Sequence, residues 1–451
     1  MFEILSLILL VAACILGLTR DGWALALLLA MFAFEQVLQA SLPIFVQIPS
    51  LGNIIIGLTV AGAAYRSLRL NPEPFNGYLS PAWICCVVIY LMAVVSILWT
   101  PSFGTAWALT RWGLPYFGLF VIVGPLLISG RGSIGKFLSA FLFLGTAITL
   151  LMLFNPRFTV YTGRLGINLD ALTRSNPLAM GELAGCLMIV GALWRGQRNA
   201  ALFVPIRLVA LVLGALLCFQ SGSRGQIIFA VLISLALYPV AVRLKSVWAF
   251  LGSALALIAV ALVLGWLLPG LLGFQEVRRW DAGSIEGGIS VRIQNVLDVA
   301  RAFAFSPAAW IVGLGFNAFA GLTTASSEPY SHVLFVDILT EQGLPAFVLL
   351  CIYFWFVVRE VRWLFGAFRD SPRDRAGLAC LVGLYCYELL LVNKQGYLWA
   401  SVLFFLLGIL IVRLRTRVAH GLDEQVEGDH FEEPEVEELA EMGRIGHARP
   451  E

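Results

Sequence analysis

Charged residues are scarce in this chain of 451 residues: Asp, Glu, Lys and Arg together make up 13% of it. A water-soluble domain typically has about 25% charged residues. Apolar residues reach 59% instead, and the mean hydropathy is +0.87. This balance excludes a water-soluble globular enzyme, a disordered chain and a nucleic-acid binder. It predicts a polytopic α-helical membrane protein.

Several catalytic signatures are also missing. The sequence has no P-loop, no HExxH, no GxSxG and no DxD-type motif, so ATP hydrolysis, zinc proteolysis and serine hydrolysis are unsupported. The eight cysteines lie in apolar runs without metal or redox spacing, which indicates inert thiols. No metal and no cofactor are predicted. Any group transfer would therefore use a donor that is already activated.

Long apolar runs set the expected fold class. A helix needs roughly 20 residues to cross about 30 Å of hydrocarbon, and thirteen runs approach that length. The first few are short and can pair differently, so twelve helices are equally compatible with the sequence. The runs cover 4–18, 22–38, 44–65, 81–99, 112–129, 134–153, 177–194, 202–219, 226–242, 247–268, 333–358, 376–392 and 397–412. The prediction is an all-α transmembrane bundle of about 12–13 helices with one long external loop, 269–332.

The first run is expected to remain part of the protein. The first ten residues contain no Lys or Arg, which the basic segment of a signal peptide requires. Segment 4–18 is therefore predicted to be a helix that stays in the chain.

Basic residues between the runs predict the orientation. Lys and Arg concentrate in cytoplasmic loops, and alternate connections hold 17 of them, which we assign to the cytoplasm. They are Arg20, Arg66, Arg69, Arg131, Lys136, Arg195, Arg198, Arg243, Lys245, Arg359, Arg362, Arg369, Arg373, Arg375, Arg413, Arg415 and Arg417. Residues 420–451 hold 11 of the 28 acidic residues and two Arg. This segment is predicted to be a solvated cytoplasmic tail.

Eight arginines fall on the opposite, external side, in segments 154–176, 221–225 and 269–332. They are Arg157, Arg164, Arg174, Arg224, Arg278, Arg279, Arg292 and Arg301. Charges placed against the positive-inside preference indicate an anion-binding site. The alternative is that they pair with lipid headgroups or with nearby acids. Those acids are Asp170, Glu276, Asp281, Glu286 and Asp298.

Two short features mark the candidate site. His332 is the only histidine before the tail and ends the external loop; histidine suits proton transfer near neutral pH. An interfacial histidine bonded to backbone is the alternative. The turn 221–225 (SGSRG) places Arg224 at a helix end, where its planar fork suits phosphate oxygens. The alternative here is a polar turn with a snorkelling arginine.

The long loop predicts an amphipathic helix near 290–305. Its apolar positions are expected along the bilayer surface, with Arg292 and Arg301 at the headgroup level. The apolar set is Val291, Val296, Val299, Phe303 and Phe305. A proline break and the turn Gly313–Gly315 follow, and no strand precedes this turn, which argues against a dinucleotide site.

Acidic residues inside the apolar runs are costly unless they are paired or functional. They are Glu35, Glu182, Asp337, Glu341 and Glu388. Glu341 lies nine residues after His332, and we expect it to be deeper and on another side of the helix. It is interpreted as structural, with substrate binding as the alternative.

The order of these motifs resembles a known family. An Arg-containing segment (Arg164–Asn176), the Ser221–Gly225 turn and the loop helix with Arg292 come first. The GxG turn at Gly313–Gly315 follows. His332 and an ExG motif at Glu341 and Gly343 complete the order. Over about residues 150–360 this is similar to the O-antigen ligase and Wzy-type polysaccharide polymerase superfamily of bacterial envelope glycosyltransferases. The family usually has Asn after the histidine, and here that residue is Val333.

The resemblance implies a GT-C-like, metal-independent glycosyltransferase in the bacterial cytoplasmic membrane, with its active face in the periplasm. It would take a glycan from undecaprenyl pyrophosphate and transfer it to an acceptor glycan or to lipid A-core. Arg224 and Arg292 would stabilise the leaving pyrophosphate, and His332 would accept the acceptor's proton, so that the pH dependence would report mainly His332. Substrate-binding candidates are Arg164, Arg174, Ser223, Arg278, Arg279 and Glu341. Membrane lipids and other polysaccharide-assembly proteins are the implied partners.

The apolar runs and the resemblance together predict that the chain has four parts. N-terminal membrane helices occupy 1–153, the ligase-like catalytic region 154–360, C-terminal membrane helices 361–418 and the acidic tail 419–451. Ligase and polymerase remain equally open. The rival class is a lipid-linked oligosaccharide flippase or exporter, which should show internal repeats and ionisable residues at mid-membrane.

Overall fold

A computed structural model describes residues 1–71, 73–161, 164–167, 176–196, 200–242, 282–322 and 331–421, with isolated positions between 246 and 255. Most of the predicted run 247–268 and the acidic tail from residue 422 lie outside these ranges. The described chain is overwhelmingly helical, and its strands are two short segments that form one hairpin.

Sixteen α-helices and two strands follow one another in the described residues, together with a π-helical segment at Gly118–Val123 and short 3-10 segments at Ile97–Trp99, Gly124–Leu127 and Leu398–Ala400. The first half comprises α1 (Phe2–Thr19), α2 (Trp23–Ser41), α3 (Pro43–Gln47), α4 (Leu51–Leu70), α5 (Pro81–Ser96), α6 (Phe103–Phe117), α7 (Arg131–Phe154), β1 (Phe158–Tyr161) and β2 (Arg164–Ile167). The second half comprises α8 (Pro177–Leu193), α9 (Ala200–Gln220), α10 (Arg224–Ala241), α11 (Ala282–Ala304), α12 (Ala309–Val312), α13 (Phe319–Leu322), α14 (Leu334–Ala367), α15 (Pro372–Gln395) and α16 (Val402–Ala419).

Ten apolar segments of the described chain are long enough to cross a membrane, which confirms the predicted all-α, multi-pass class. They are Phe2–Thr19, Trp23–Ser41, Leu51–Leu70, Pro81–Trp99, Phe103–Leu127, Arg131–Phe154, Phe203–Gln220, Arg224–Ala241, Leu334–Ala367 and Pro372–Gln395. Helix α8 is shorter, and α16 carries three arginines near its end. The predicted run 44–65 is divided into α3 and α4, with Pro49 between them.

The centre of the bundle consists of helices that are apolar on every side. Most residues of α2, α15 and α16 are buried, as expected for helices without a polar face. Helices α1, α9 and α10 are mostly exposed along their apolar surfaces. In a membrane protein such surfaces contact lipid.

One end of the bundle gathers ion pairs between the connections predicted to be cytoplasmic. Distances are 2.7 Å from Arg66 Nη2 to Asp21 Oδ1 and 2.6 Å from Arg131 Nη2 to Asp374 Oδ2. Glu360, late in α14, pairs with Arg415 of α16 at 3.0 Å. These connections therefore lie at the same end, which we call the tail end because α16 ends there. The opposite end carries β1 and β2 and is called the hairpin end.

Helix α14 is broken near its start. Gly343 has φ 82° and ψ −179°, far from helical values. The break separates a short first segment at the hairpin end from a long second segment. Residues 344–367 of that second segment rise about 36 Å at 1.5 Å per residue, which is enough to span the membrane.

Candidate functional site

Four cationic side chains at the hairpin end interact electrostatically. Arg164 begins β2, Arg224 begins α10, Arg292 lies on α11, and Lys394 is next to last in α15. The Lys394 ammonium group interacts electrostatically with the guanidinium groups of all three arginines. Like charges brought this close repel one another unless an anion or water compensates. We call these four residues the cation cluster.

The turn before α10 fixes the direction of Arg224. Gly222 has φ +67°, a left-handed conformation that glycine adopts without strain. Ser221 is buried and its hydroxyl donates to the Cys218 carbonyl at 2.8 Å. The buried Ser223 donates its backbone N–H to the Ser221 hydroxyl at 3.4 Å. Together these contacts form a tight turn that brings Arg224 to the helix start.

Gln226, two residues after Arg224, ties α10 to α8. Its Nε2 donates to the Leu178 carbonyl at 2.8 Å. A Cβ at Gly181 of α8 would lie 1.7 Å from Gln226 Oε1. A side chain at 181 would therefore displace Gln226, and glycine at this position lets α8 and α10 pack this closely.

A short hairpin positions Arg164. Strands β1 and β2 pair antiparallel, with Leu165 and Ile167 buried against the bundle. Those anchors hold the start of β2, and thus Arg164, close to the bundle. Arg157, another of the arginines predicted to be external, donates to the Ala40 carbonyl at 2.9 Å. That bond lies at the end of α2, and the role of Arg157 is structural.

Helix α11 is amphipathic, as predicted, and begins earlier than the predicted range. Arg292, Asn295 and Val299 follow one face at helical spacing; Asn295 is 5% and Val299 1% exposed, whereas Phe305, just beyond the helix, is 87% exposed. The expectation that all the apolar positions face the bilayer was therefore wrong for Val299, which packs on the protein. Arg301 pairs with Asp298 at 3.8 Å, as the alternative interpretation anticipated.

His332 lies in a constrained turn at the start of α14. Its φ of 71° is left-handed, which is uncommon outside glycine and costs free energy. The neighbouring Ser331 is buried, donates to Asp337 and accepts from the Val333 N–H at 3.2 Å. This bonding holds the turn and leaves His332 half-buried.

The start of α14 is tied to the end of α15. The Phe335 N–H donates to Asn393 Oδ1 at 3.3 Å, and Asn393 directly precedes Lys394. The turn of His332 is therefore held beside the part of α15 that carries the fourth cation. The structure thus brings His332, Arg164, Arg224 and Arg292 to the same end of the bundle.

The GxG turn at Gly313–Gly315 and the ExG motif at Glu341–Gly343 contact each other. The N–H groups of Leu314 and Gly315 donate to the carbonyls of Thr340 and Glu341 at 2.8 and 3.0 Å. A Cβ at Gly313 would lie 2.1 Å from the Glu341 carbonyl, and one at Gly343 would lie 2.6 Å from the Ile311 carbonyl. The motifs therefore form a backbone junction between α12 and α14.

Glu341 belongs to this junction. It is buried, it accepts a hydrogen bond from the backbone N–H of Asn317, and it interacts electrostatically with Asp337. Its location one turn below Asp337 fits the structural interpretation of this residue better than direct substrate contact.

Buried polar atoms on α10, on α11 and at the start of α14 lack hydrogen-bond partners in the part of the chain that the structure describes. They are Arg224 Nη1, Gln226 Oε1, Asn295 Nδ2, Asp337 Oδ2 and both amide atoms of Gln342. Buried polar groups in proteins almost always form a hydrogen bond, either with another protein group or with water. These atoms therefore indicate a space that takes water or a polar ligand.

An acidic pair lies deeper in the bundle. Glu182 of α8 and Glu388 of α15 interact electrostatically, and Cys186 Sγ is 3.9 Å from Glu388 Oε1. Glu388 is six residues before Lys394, which is about 9 Å along the helix. Glu35, unlike this acidic pair, accepts two side-chain hydrogen bonds: Gln39 and Asn53 each donate to its carboxylate at 2.8 Å.

Three predicted substrate-binding residues, Arg174, Arg278 and Arg279, lie outside the described residues, as do the acids Asp170, Glu276 and Asp281. The structure describes no group of three His, Cys, Asp or Glu residues placed to hold a metal ion within those ranges.

Lys394 is the functional candidate that sequence reasoning missed. It is one of only three lysines in the chain, and that rarity was its only signal.

Comparison with protein-family models and with curated proteins found no match for this chain. Any functional assignment therefore rests on the geometry of the site and on the resemblance of its motifs.

Proposed function

We propose that this chain is an integral membrane glycosyltransferase that takes a glycan from undecaprenyl pyrophosphate on the external face of the bacterial cytoplasmic membrane. The observation that carries the proposal is the cation cluster. Arg164, Arg224 and Arg292 come from three segments that are far apart in the sequence, and all three interact electrostatically with Lys394. The Lys394 ammonium group also lies against Gly225, the residue next to Arg224: a Cβ at Gly225 would be 2.5 Å from Lys394 Nζ. Guanidinium forks with an added ammonium group suit the oxygens of a pyrophosphate.

The chemistry follows from the donor. The bond between the anomeric carbon and the pyrophosphate oxygen breaks, and the acceptor hydroxyl oxygen bonds to that carbon. The electron pair and the negative charge go to the leaving pyrophosphate, where Arg224 and Arg292 stabilise them. The hydroxyl proton goes to His332, which acts as the base.

The other two cations have a binding role in this scheme. Lys394 and Arg164 hold the phosphate oxygens, so that the anomeric carbon is oriented toward His332. Because the arginines do not titrate near neutral pH, a rise in the rate of transfer with pH reports mainly His332. The acceptor is a lipid-linked glycan in a polymerase or lipid A-core in a ligase, as in the assembly of exopolysaccharide or lipopolysaccharide.

Release of undecaprenyl pyrophosphate tests the proposal. Purified protein in lipid nanodiscs is given a synthetic undecaprenyl-pyrophosphate glycan together with acceptor, and both products are quantified. We expect wild-type turnover and at least about a hundredfold loss in Arg292→Ala. Arg301→Ala is the matched control, since Arg301 lies on the same helix but is 65% exposed beside Asp298. Equal losses in both variants, or no release with any acceptor, would overturn the proposal.

One observation favours a second candidate, a proton-coupled flippase or exporter. Glu182 and Glu388 form an acidic pair within the bundle, and such residues can serve as proton carriers in transporters. Uptake of labelled lipid-linked glycan into vesicles, abolished in Glu388→Gln but retained in Arg292→Ala, would support transport over transfer.

A further inference from the structure

A cavity of about 610 Å³ opens at the tail end of the bundle. It lies between the α1–α2 connection, the end of α4 and the starts of α7 and α9. Helix α7 runs from this cavity to β1 at the hairpin end over 24 residues, a rise of about 36 Å. The cavity is therefore separate from the cation cluster, and we call it the tail-end cavity.

Its charged lining is predominantly basic. Arg20, Arg66 and Lys136 contribute three positive charges, and Asp21 is the one acid among the described residues that line it. Asp21 lies 2.7 Å from Arg66 and 3.4 Å from Lys136. One carboxylate cannot neutralise three cations, so the lining keeps two net positive charges. These ion pairs are part-exposed and hence weak. Arg66 also donates to the Thr19 carbonyl, so Arg20 and Lys136 are the cations that a ligand reaches most easily.

The remaining wall is apolar and aromatic. Phe143 of α7 and Phe203 of α9 meet edge to face with ring centroids 5.8 Å apart. Trp23 lies at the start of α2, and Leu70 stands at the rim with 72% of its side chain exposed. A cavity lined by both cations and aromatic rings fits an amphiphile. Its volume falls in the range of about 300–1,000 Å³ that is typical of small-molecule sites.

We propose that the tail-end cavity binds an anionic phospholipid, with its phosphate on Arg20, Arg66 and Lys136 and its acyl chain against Phe143 and Phe203. The cavity lies at the ends of membrane-spanning helices, where headgroups of the adjacent leaflet are found. Basic pockets between such helices are a recognised setting for acidic headgroups. A soluble phosphate or nucleotide would use the cations but would leave the aromatic wall without a role.

Leu70 offers a matched pair of variants. Leu70→Glu places a negative charge at the exposed rim, while Leu70→Gln is similar in size and neutral, so folding is preserved in both. Full-length protein is reconstituted into nanodiscs of phosphatidylcholine with phosphatidylglycerol, and the lipid it retains after detergent exchange is measured by native mass spectrometry. We expect Leu70→Gln to retain phosphatidylglycerol and Leu70→Glu to retain about fivefold less.

Two further variants test the cations directly. Removing both charges in Arg20→Gln/Lys136→Gln should lower retention by about 25-fold, because each cation near a membrane surface changes affinity about fivefold. Arg69→Gln is the control, since Arg69 is at the same end of α4 but stacks on Tyr65 at 5.0 Å rather than lining the cavity.

Three results would overturn the proposal. The first is equal retention of phosphatidylglycerol by wild type and both charge variants. The second is equal retention of phosphatidylcholine and phosphatidylglycerol by wild type. The third is saturable binding of inorganic phosphate or ATP, lost in the same variants, with no phospholipid co-purifying. Glycan transfer is not the readout, so failure here would leave the transferase proposal standing.

Discussion

The Lys394 side chain lies over the backbone of Gly225: a Cβ built at Gly225 would come within 2.5 Å of Lys394 Nζ and 2.6 Å of its Cε. Any side chain at position 225 must therefore displace the lysine. This contact joins the end of α15 to the start of α10, and it places Lys394 beside Arg224. The glycine of the SGSRG turn is thus explained by a neighbour remote in the sequence.

Gly225→Ala should lower glycan transfer without unfolding the protein. The clash is with the end of a flexible side chain, which can rotate away, so membrane accumulation and thermal stability should stay near wild type. Displacing Lys394 should raise the KM for the lipid-linked donor about tenfold. Gly104→Ala on α6 is the control, because a Cβ there meets nothing within 4 Å. An unchanged donor KM in Gly225→Ala would remove Lys394 from the donor site.

Two variants of Lys394 should separate the effect of its charge on transfer from the effect of its shape. Lys394→Ala should lower transfer at limiting donor by about 10- to 100-fold, since one strong donor to a phosphate oxygen is lost. Lys394→Arg keeps the charge but needs more room above Gly225, and we expect partial activity. Arg69→Ala is the control, because Arg69 is an exposed cation at the tail end of the bundle that stacks on Tyr65 and does not line the tail-end cavity. Equal activity in Lys394→Ala and Arg69→Ala would contradict a role in the donor site.

It was easier to predict from the sequence which charged residues lie in unusual positions than to predict which residues contact one another. The arginines predicted to be external stood out because membrane proteins concentrate basic residues on the cytoplasmic side. Lys394 did not, because it falls between two apolar runs, at the end of a helix that looks like an ordinary membrane span. Only packing of α10 against α15 shows that this lysine joins Arg224.

The glycine motifs illustrate the same limit. Gly313 and Gly315 were recognisable as a turn and Gly343 as part of an ExG motif, but nothing in the sequence indicated that Gly313 and Gly343 contact each other's backbones. The helical class itself was predictable, since it depends on composition and run length. The break of α14 at Gly343 was not, because it depends on the close approach of α12.

Gly343→Ala should destabilise the protein. Gly343 has φ +82°, and a Cβ there would lie 2.6 Å from the Ile311 carbonyl, so both backbone strain and a backbone clash result. We expect a loss of about 1–3 kcal/mol and a lower melting temperature in detergent. Gly366→Ala in the same helix is the control, because its Cβ meets nothing within 4 Å. Equal melting temperatures for the two variants would show that the junction between α12 and α14 contributes little to stability.

His332 requires variants that separate its ring from its backbone. Because its φ is +71°, His332→Ala removes the imidazole and also strains the turn. His332→Gly and His332→Asn accept the left-handed conformation, so they remove the base while keeping the fold. Both should lower kcat for transfer by about 10²–10⁴-fold and leave donor binding within a few-fold of wild type. The wild-type rate should rise with pH through the range where imidazole loses its proton, and the residual rate of His332→Gly should not. Transfer that survives in His332→Gly with the wild-type pH profile would mean that another group accepts the proton.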